Sequence, residues 1–328
     1  MVRQIVVVVT AFLILASAHP VTAQSSQPVR IGTLLSGSPA SHGHYLDGFR
    51  QGLNYLGYKE GKNIVIVSRW GRGKRKQLPR LARELVEAKV KVIMVVGRAA
   101  LEAAAKATQT IPIVTGVVAN LAKYEGFVGS LTHPGGNVTG STFDAIALNG
   151  KRLGLIRETL PGAGRVAILV RSLSSKRILR QLKRAKTAGK ALGFKIQARE
   201  AQSLNEIERA FAKMATENTD ALIVNTSTEY NFHRNRIAAL AIAKKIPTMC
   251  EQTAFVPAGC LMAYTVDRRH MLLRAAVFAD KIIKGAKPAD LPVEMATRYR
   301  LVVNLKTAKT IGITLPPSTL LQATEVME

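Results

Sequence analysis

The sequence predicts an α/β protein of two lobes, each a parallel sheet covered by helices. Three observations predict it. Strand-like and helix-like segments alternate from Val29 onward, and the alternation begins afresh after residue 150. The Gly/Pro-rich stretch His133-Pro-Gly-Gly-Asn-Val-Thr-Gly140 separates the two blocks and suits a crossing between lobes. Strands alternating with helices argue for parallel pairing through right-handed crossovers. A chain of 328 residues is long for one compact domain and sufficient for two, and 47% apolar residues can furnish both cores.

In the first block, Val29 to Leu35 reads as an apolar strand closed by the turn Ser36-Gly37-Ser38-Pro39. Tyr45, Phe49, Leu53 and Leu56 then recur at helical spacing, and Gly57 ends that helix. A strand is expected at Asn63–Val67 and a helix around Leu78, Leu81, Leu85 and Val86. Val90–Val96 is a continuous apolar run, as a strand buried on both faces requires. An Ala-rich helix from Ala99 to Thr108 and a strand at Ile111–Thr115 close the block.

The second block repeats the rhythm. Strands are expected at Arg165–Val170, Phe194–Ala198, Ala221–Val224 and Ile246–Met249. Helices are expected at Asn149–Thr159, Ser175–Leu192, Asn205–Thr216 and Asn231–Lys244. A second crossing is expected near Leu261–Val266, after which a helix from Met271 to Gly285 returns to the first lobe. The lobes are therefore expected to comprise residues 28–143 with 265–298, and 144–264 with 299–328.

Ahead of these elements stands a segment of another kind. The basic leader Met1-Val2-Arg3-Gln4 precedes an apolar run from Ile5 to Ala16 and the small-x-small triplet Val21-Thr22-Ala23. The order is that of a signal peptide spanning residues 1–23, cleaved before Gln24. The run is too short for a bilayer that demands about 20 residues. A periplasmic or secreted protein is expected. No Cys adjoins the cleavage site, so it is not expected to be a lipoprotein. Cys250 and Cys260 leave both a disulfide and two buried free thiols open.

The formal charge is +26, from 47 basic and 21 acidic residues. Such an excess attracts nucleic acid, anionic lipid and acidic ligands alike, but export removes nucleic acid from the expected partners. Residues 171–190 concentrate eight basic side chains with no acid, opposite Ile178, Leu179, Leu182 and Ala185. That is an amphipathic helix with a solvated basic face.

Searches for catalytic motifs return little. H-E-x-x-H, C-x-x-C, G-x-S-x-G and P-loop patterns do not occur. Gly162-Ala-Gly-Arg-Val-Ala167 matches a dinucleotide fingerprint in letters only, because it precedes a strand instead of following one. His42 and His44 lack the Cys or carboxylate company of a metal site. No catalytic residue, metal or cofactor is expected.

Geometry supplies the candidates. In open α/β sheets ligands bind outside the carboxyl ends of the strands. The loops there nominate Ser36, Ser38, Gly97, Arg98, Val118 and Asn120 from the first lobe, and Ser172, Asn225, Thr226 and Glu251 from the second. Phe143 and Tyr264 join them at the expected crossings. These side chains suit reversible capture by hydrogen bonds and stacking.

Several long blocks carry a family resemblance, among them Arg30-Ile-Gly-Thr-Leu-Leu-Ser-Gly-Ser-Pro, Gln51-Gly-Leu-Asn-Tyr-Leu-Gly-Tyr-Lys-Glu-Gly-Lys-Asn and Ser130-Leu-Thr-His-Pro-Gly-Gly-Asn-Val-Thr-Gly. Gly285-Ala-Lys-Pro-Ala-Asp-Leu-Pro-Val-Glu and Val303-Asn-Leu-Lys-Thr-Ala-Lys-Thr-Ile-Gly-Ile-Thr-Leu-Pro-Pro extend it. From Val29 to Glu328 the chain resembles the ABC-transporter substrate-binding family, whose better-known members carry aromatic and other amino acids. The resemblance implies two Rossmann-like lobes in a periplasmic-binding-protein type I-like arrangement. It also implies a small-molecule ligand in the cleft, a membrane permease and an ATPase as partners, and a monomer. An exported enzyme on the same architecture and a sensory receptor subunit are the alternatives. Where members often show Ser-Gly-Thr and Gly-Asp-Pro, this chain has Gly97-Arg98-Ala99 and Ala119-Asn120-Leu121. If Arg98 and Asn120 face the cleft, the exchange favours an anionic ligand.

Overall fold

A computed structural model describes residues 27–121 and 126–328. The signal peptide expected over residues 1–23 lies outside the described residues. The first block folds as β1 (Val29–Leu35), α1 (Pro39–Tyr55), β2 (Ile64–Trp70), α2 (Leu78–Glu87), β3 (Val92–Val96), α3 (Arg98–Ala107), β4 (Ile113–Ala119) and β5 (Val138–Phe143). The second follows as α4 (Ala145–Thr159), β6 (Arg165–Val170), α5 (Lys176–Ala191), β7 (Lys195–Glu200), α6 (Leu204–Thr216), β8 (Ala221–Val224), α7 (Thr228–Phe232), α8 (Arg234–Ala243), β9 (Thr248–Cys250) and β10 (Met262–Val266). The chain closes with α9 (Arg268–Ile283), β11 (Glu294–Met295), β12 (Tyr299–Asn304), α10 (Leu305–Ile311), α11 (Pro317–Gln322) and β13 (Glu325–Met327).

Two sheets result, as the alternation predicts. One has strand order β11-β5-β4-β3-β1-β2 and is parallel throughout. The other has order β13-β12-β10-β9-β8-β6-β7, with β10 and β12 its antiparallel pair. Apolar side chains fill both faces of each sheet.

Several elements differ from their expected bounds for identifiable reasons. Strand β2 runs on to Trp70 because it is an edge strand, paired with β1 over seven residues, and needs no apolar alternation. Strand β4 continues past Gly116 through a bulge, which carries Val118 inside the sheet. The helix expected from Asn231 is broken at His233, so α7 ends at Phe232 and α8 starts anew. The stretch His133–Gly140 does not cross between lobes, since β5 pairs with β4. Likewise Met262–Val266 is a strand of the second sheet, between β9 and β12.

The crossings come just afterwards, at Asp144, at Asp267 and between Met295 and Tyr299. They are tied to their neighbours by backbone bonds: Asp267 N–H donates to Arg298 C=O and Ala296 N–H to Thr142 C=O, both at 2.8 Å. After the second crossing, α9 packs on the first lobe against α1. A Cβ at Gly52 would lie 2.6 Å from Ala276 Cβ, so glycine there sets how closely these helices approach. Cys250 and Cys260 are both buried free thiols, and burial pushes the Cys250 thiol up.

Candidate functional site

A cleft of about 1320 Å³ opens where the carboxyl ends of β1 and β2 face those of β8, β9 and β10. Gly37, Ser38 and the inner face of α1 wall it on one side, and Thr226, Asn231, Phe232 and Gln252 on the other. The start of α9 and Arg300 complete it.

The α1 wall is built by its cap. Ser38 Oγ accepts from Ser41 N–H, and Ser41 Oγ accepts from Ser38 N–H at 3.0 Å, a reciprocal capping box, while Ser41 Oγ also lies 3.0 Å from His42 Nδ1. His42 lies across the turn so closely that a Cβ at Gly37 would fall 2.0 Å from its Nδ1. Burial, then the charges of His44 and Arg268, push His42 down to about 4. Burial and Arg268 lower His44 as well, against the pull of Asp47. Both rings are therefore neutral near pH 7 and act as flat, weakly polar surfaces. Tyr45 stands between them, edge-on to His42 at 5.1 Å and tilted on His44 at 3.9 Å.

Arg268 joins the walls. It opens α9 behind the N-cap Asp267, whose carboxylate accepts His270 N–H. Its Nη1 donates to Tyr45 Oη at 2.8 Å in the first lobe, and its Nη2 to Glu251 C=O at 3.4 Å in the second. Its Nε is buried with no partner among the described residues. Beneath it, Glu251 accepts from Arg152 Nη1 at 3.0 Å and from Thr226 N–H at 2.7 Å. Arg152 is 3% exposed and also donates to Tyr264 C=O and Asn149 Oδ1. Burial lowers the Arg152 pKa, while Glu251 opposes the shift. Such an arginine is framework, held by hydrogen bonds on every side.

The family model described as ABC transporter substrate binding protein matches residues 30–327. The chain belongs to this family. A Clostridioides difficile (strain R20291) protein named "Tyrosine-binding protein" is 25% identical over 266 residues, covering 81% of this chain and 76% of that one. The structure of an ABC domain in complex with L-Trp from Streptococcus pneumonia is 25% identical with a TM-score of 0.80, over 92% of this chain and 100% of that one. A Vibrio cholerae domain of 23% identity superposes equally well, with a TM-score of 0.80 over 92% and 100% of the two chains. Members of the family are extracytoplasmic solute-binding proteins that serve membrane transporters. No helix of the described residues is long and apolar enough to cross a membrane.

In this substrate-binding protein the loop residues nominated by strand position divide into three groups. Ser38 and Thr226 line the cleft. Glu251 and Asn225 lie directly behind it, Glu251 anchoring the Thr226 backbone. The rest do not line it. Ser36 Oγ donates to Val96 C=O, packed against Gly97, whose φ of +92° lets α3 begin there. Arg98 sits on the first turn of α3 in an ion pair with Glu102 at 2.5 Å and is not among the residues that line the cleft. Val118 is buried in the core and Ser172 bonds Ser174 in a loop. Phe143 and Tyr264 pack beside the crossings, Tyr264 stacked on Tyr299 at 5.9 Å. Asn120 adopts φ +56° and donates its N–H to Phe143 C=O, while its Oδ1 is buried without a partner among the described residues.

Strand-end reasoning missed His42, Tyr45, Asn231, Phe232, Arg268 and Arg300. All but Arg300 sit in helices or their first turns, one step beyond the loops it searches. The pair His42 and His44 was visible as a motif, but its use as a neutral surface was not. Among the described residues no group of three or more His, Cys, Asp or Glu is placed to hold a metal ion.

Proposed function

We propose that this protein is exported, closes its lobes on a small carboxylate-bearing solute related to the amino acids, and hands it unaltered to a permease and ATPase. The observation that carries this reading is Arg268, a half-buried cation that lines the cleft and touches both of its walls. Contacts from two lobes favour the closed state only to the extent that solute binds it better than the open one. Micromolar capture would correspond to about −8 kcal/mol. The division into residues 28–143 with 265–298, and 144–264 with 299–328, belongs to this proposal; sheet membership supports it except at Thr265 and Val266, which pair with β12 in the second sheet. Cleavage after Ala23 and a monomeric state belong to the same proposal.

A thermal-shift screen across amino acids, organic acids, sugars and nucleosides tests it, followed by small-angle scattering of the best binder. A smaller radius of gyration on binding and release of the compound unchanged are the expected results. Steady conversion of the compound, or binding without compaction, would overturn the reading.

A further inference from the structure

Six arginines and two aspartates line the cleft. Arg50 is paired with Glu60 and Arg300 with Glu325. Arg72, Arg234, Arg268 and Arg269 have no carboxylate partner among the described ion pairs. Of the two acids, Asp47 leans on Arg50 at 3.6 Å and Asp267 caps α9. An anion entering here meets surplus positive charge, whereas an ammonium group meets little that is unengaged.

Among hydroxyl and amide side chains the lining also carries rings. Tyr45 clusters with the two neutral imidazoles, at 89° to His42 and 54° to His44. On the opposite lip Phe232 is 81% exposed, an unfavourable state for a large apolar ring unless something covers it. Closure on a planar apolar body would bury Phe232 on one side of that body and present Tyr45 on the other.

We propose that the cleft is built for an aryl carboxylate without an α-ammonium group, its carboxylate on Arg268 and its ring between Tyr45 and Phe232. The inference rests on the capture reading above and narrows its solute class. It also separates this chain from the relatives named for tyrosine and L-Trp, whose solutes carry an ammonium group.

Calorimetry on the purified protein tests it with phenylacetate, para-hydroxybenzoate and para-hydroxyphenylpropionate, the last being tyrosine without its amine. L-Tyrosine, tyramine and succinate complete the set. At least one aryl acid is expected to bind about 10-fold or more tighter than L-tyrosine, with tyramine and succinate inert. Arg268→Gln should weaken that acid by roughly 10- to 100-fold, the loss of a charge-assisted hydrogen bond. Phe232→Ala, on an exposed side chain, should weaken it about 5-fold while leaving the unliganded melting temperature in place, which guards against a folding artefact. Equal or tighter binding of L-tyrosine or succinate, or inert aryl acids throughout, would overturn the proposal. Should another solute bind with compaction while the aryl acids do not, the capture reading stands and this inference alone fails.

Discussion

The protein carries basic residues in two settings that share composition and little else. On α5, Lys176, Arg180, Lys183, Arg184, Lys186 and Lys190 are exposed, with no acid partner among the described ion pairs. Around the cleft, Arg152 and Arg268 are held in networks that join lobes and elements. The α5 cations stand exposed to solvent and could be exchanged individually at little cost. Those at the cleft are fixed by protein groups, so each removal strands a partner. Charge count therefore says less about function than which donors are buried and which of those are unused.

The sharpest way to break that contrast is Arg152→Met. It strands the Glu251 carboxylate, 13% exposed, and frees the Tyr264 carbonyl. Breaking a buried pair from one side costs about 3–5 kcal/mol, against near zero for an α5 residue. Urea unfolding measures it, and a loss under about 1 kcal/mol would show that the network is less tightly coupled than its geometry indicates.

His42 extends the contrast to pH. Its pKa is about 4 in the fold against 6.5 unperturbed. The unfolded chain therefore binds more protons between those values, and stability rises with pH across that window. The contribution is fully present above pH 6.5 and is lost progressively as pH falls toward about 4. It amounts to about 2–3 kcal/mol after allowing for partial exposure. His42→Gln should flatten the stability profile between pH 4 and 6.5 and leave the rest unchanged. An unaltered slope in that variant would assign the acid sensitivity elsewhere.

A third test concerns how the scaffold brings α9, and Arg268 with it, to the cleft. Gly52→Val places new atoms 2.6 Å from Ala276 Cβ and 3.1 Å from the Leu273 backbone, neither of which can swing aside. Overpacking of this kind costs about 1–3 kcal/mol. A stability loss accompanied by weaker solute binding is expected, because α9 carries the arginine. Full affinity in a destabilised variant would uncouple the two.

Much of this fold was legible because its signals are local and repeated. An apolar run such as Val92–Val96 must be buried on both faces, and a helix after each strand forces a parallel sheet. Strand ends were read short at β2 and β4, where an edge position and a bulge remove the usual pattern. The site was less legible. Position after a strand finds Ser38 and Thr226, whose backbone geometry places them in the cleft. It does not single out Arg268, which stands in an Arg-Arg-His run ahead of the helix expected from Met271 and in fact opens that helix. That Arg268 bridges the walls depends on the crossing at Asp267 and on Tyr45, more than 200 residues away in sequence. Arg98 shows the converse: a charged residue at the right strand end is drawn to Glu102, four positions along its own helix.

The smallest expected effect completes the comparison. Lys183→Gln, Arg184→Gln and Lys186→Gln remove three charges from the face where Ile178, Leu182 and Ala185 provide the buried anchor. Each should change stability by under about 0.5 kcal/mol, and solute affinity not measurably, since no described bond runs from these side chains to the cleft. Leu179, on the same helix and 48% exposed, marks the edge of that anchor. A triple variant that bound solute more weakly at low salt and normally at high salt would show that the distant charges act through the field of the whole protein. Unchanged binding at both salt concentrations would place the electrostatics of capture within the cleft itself.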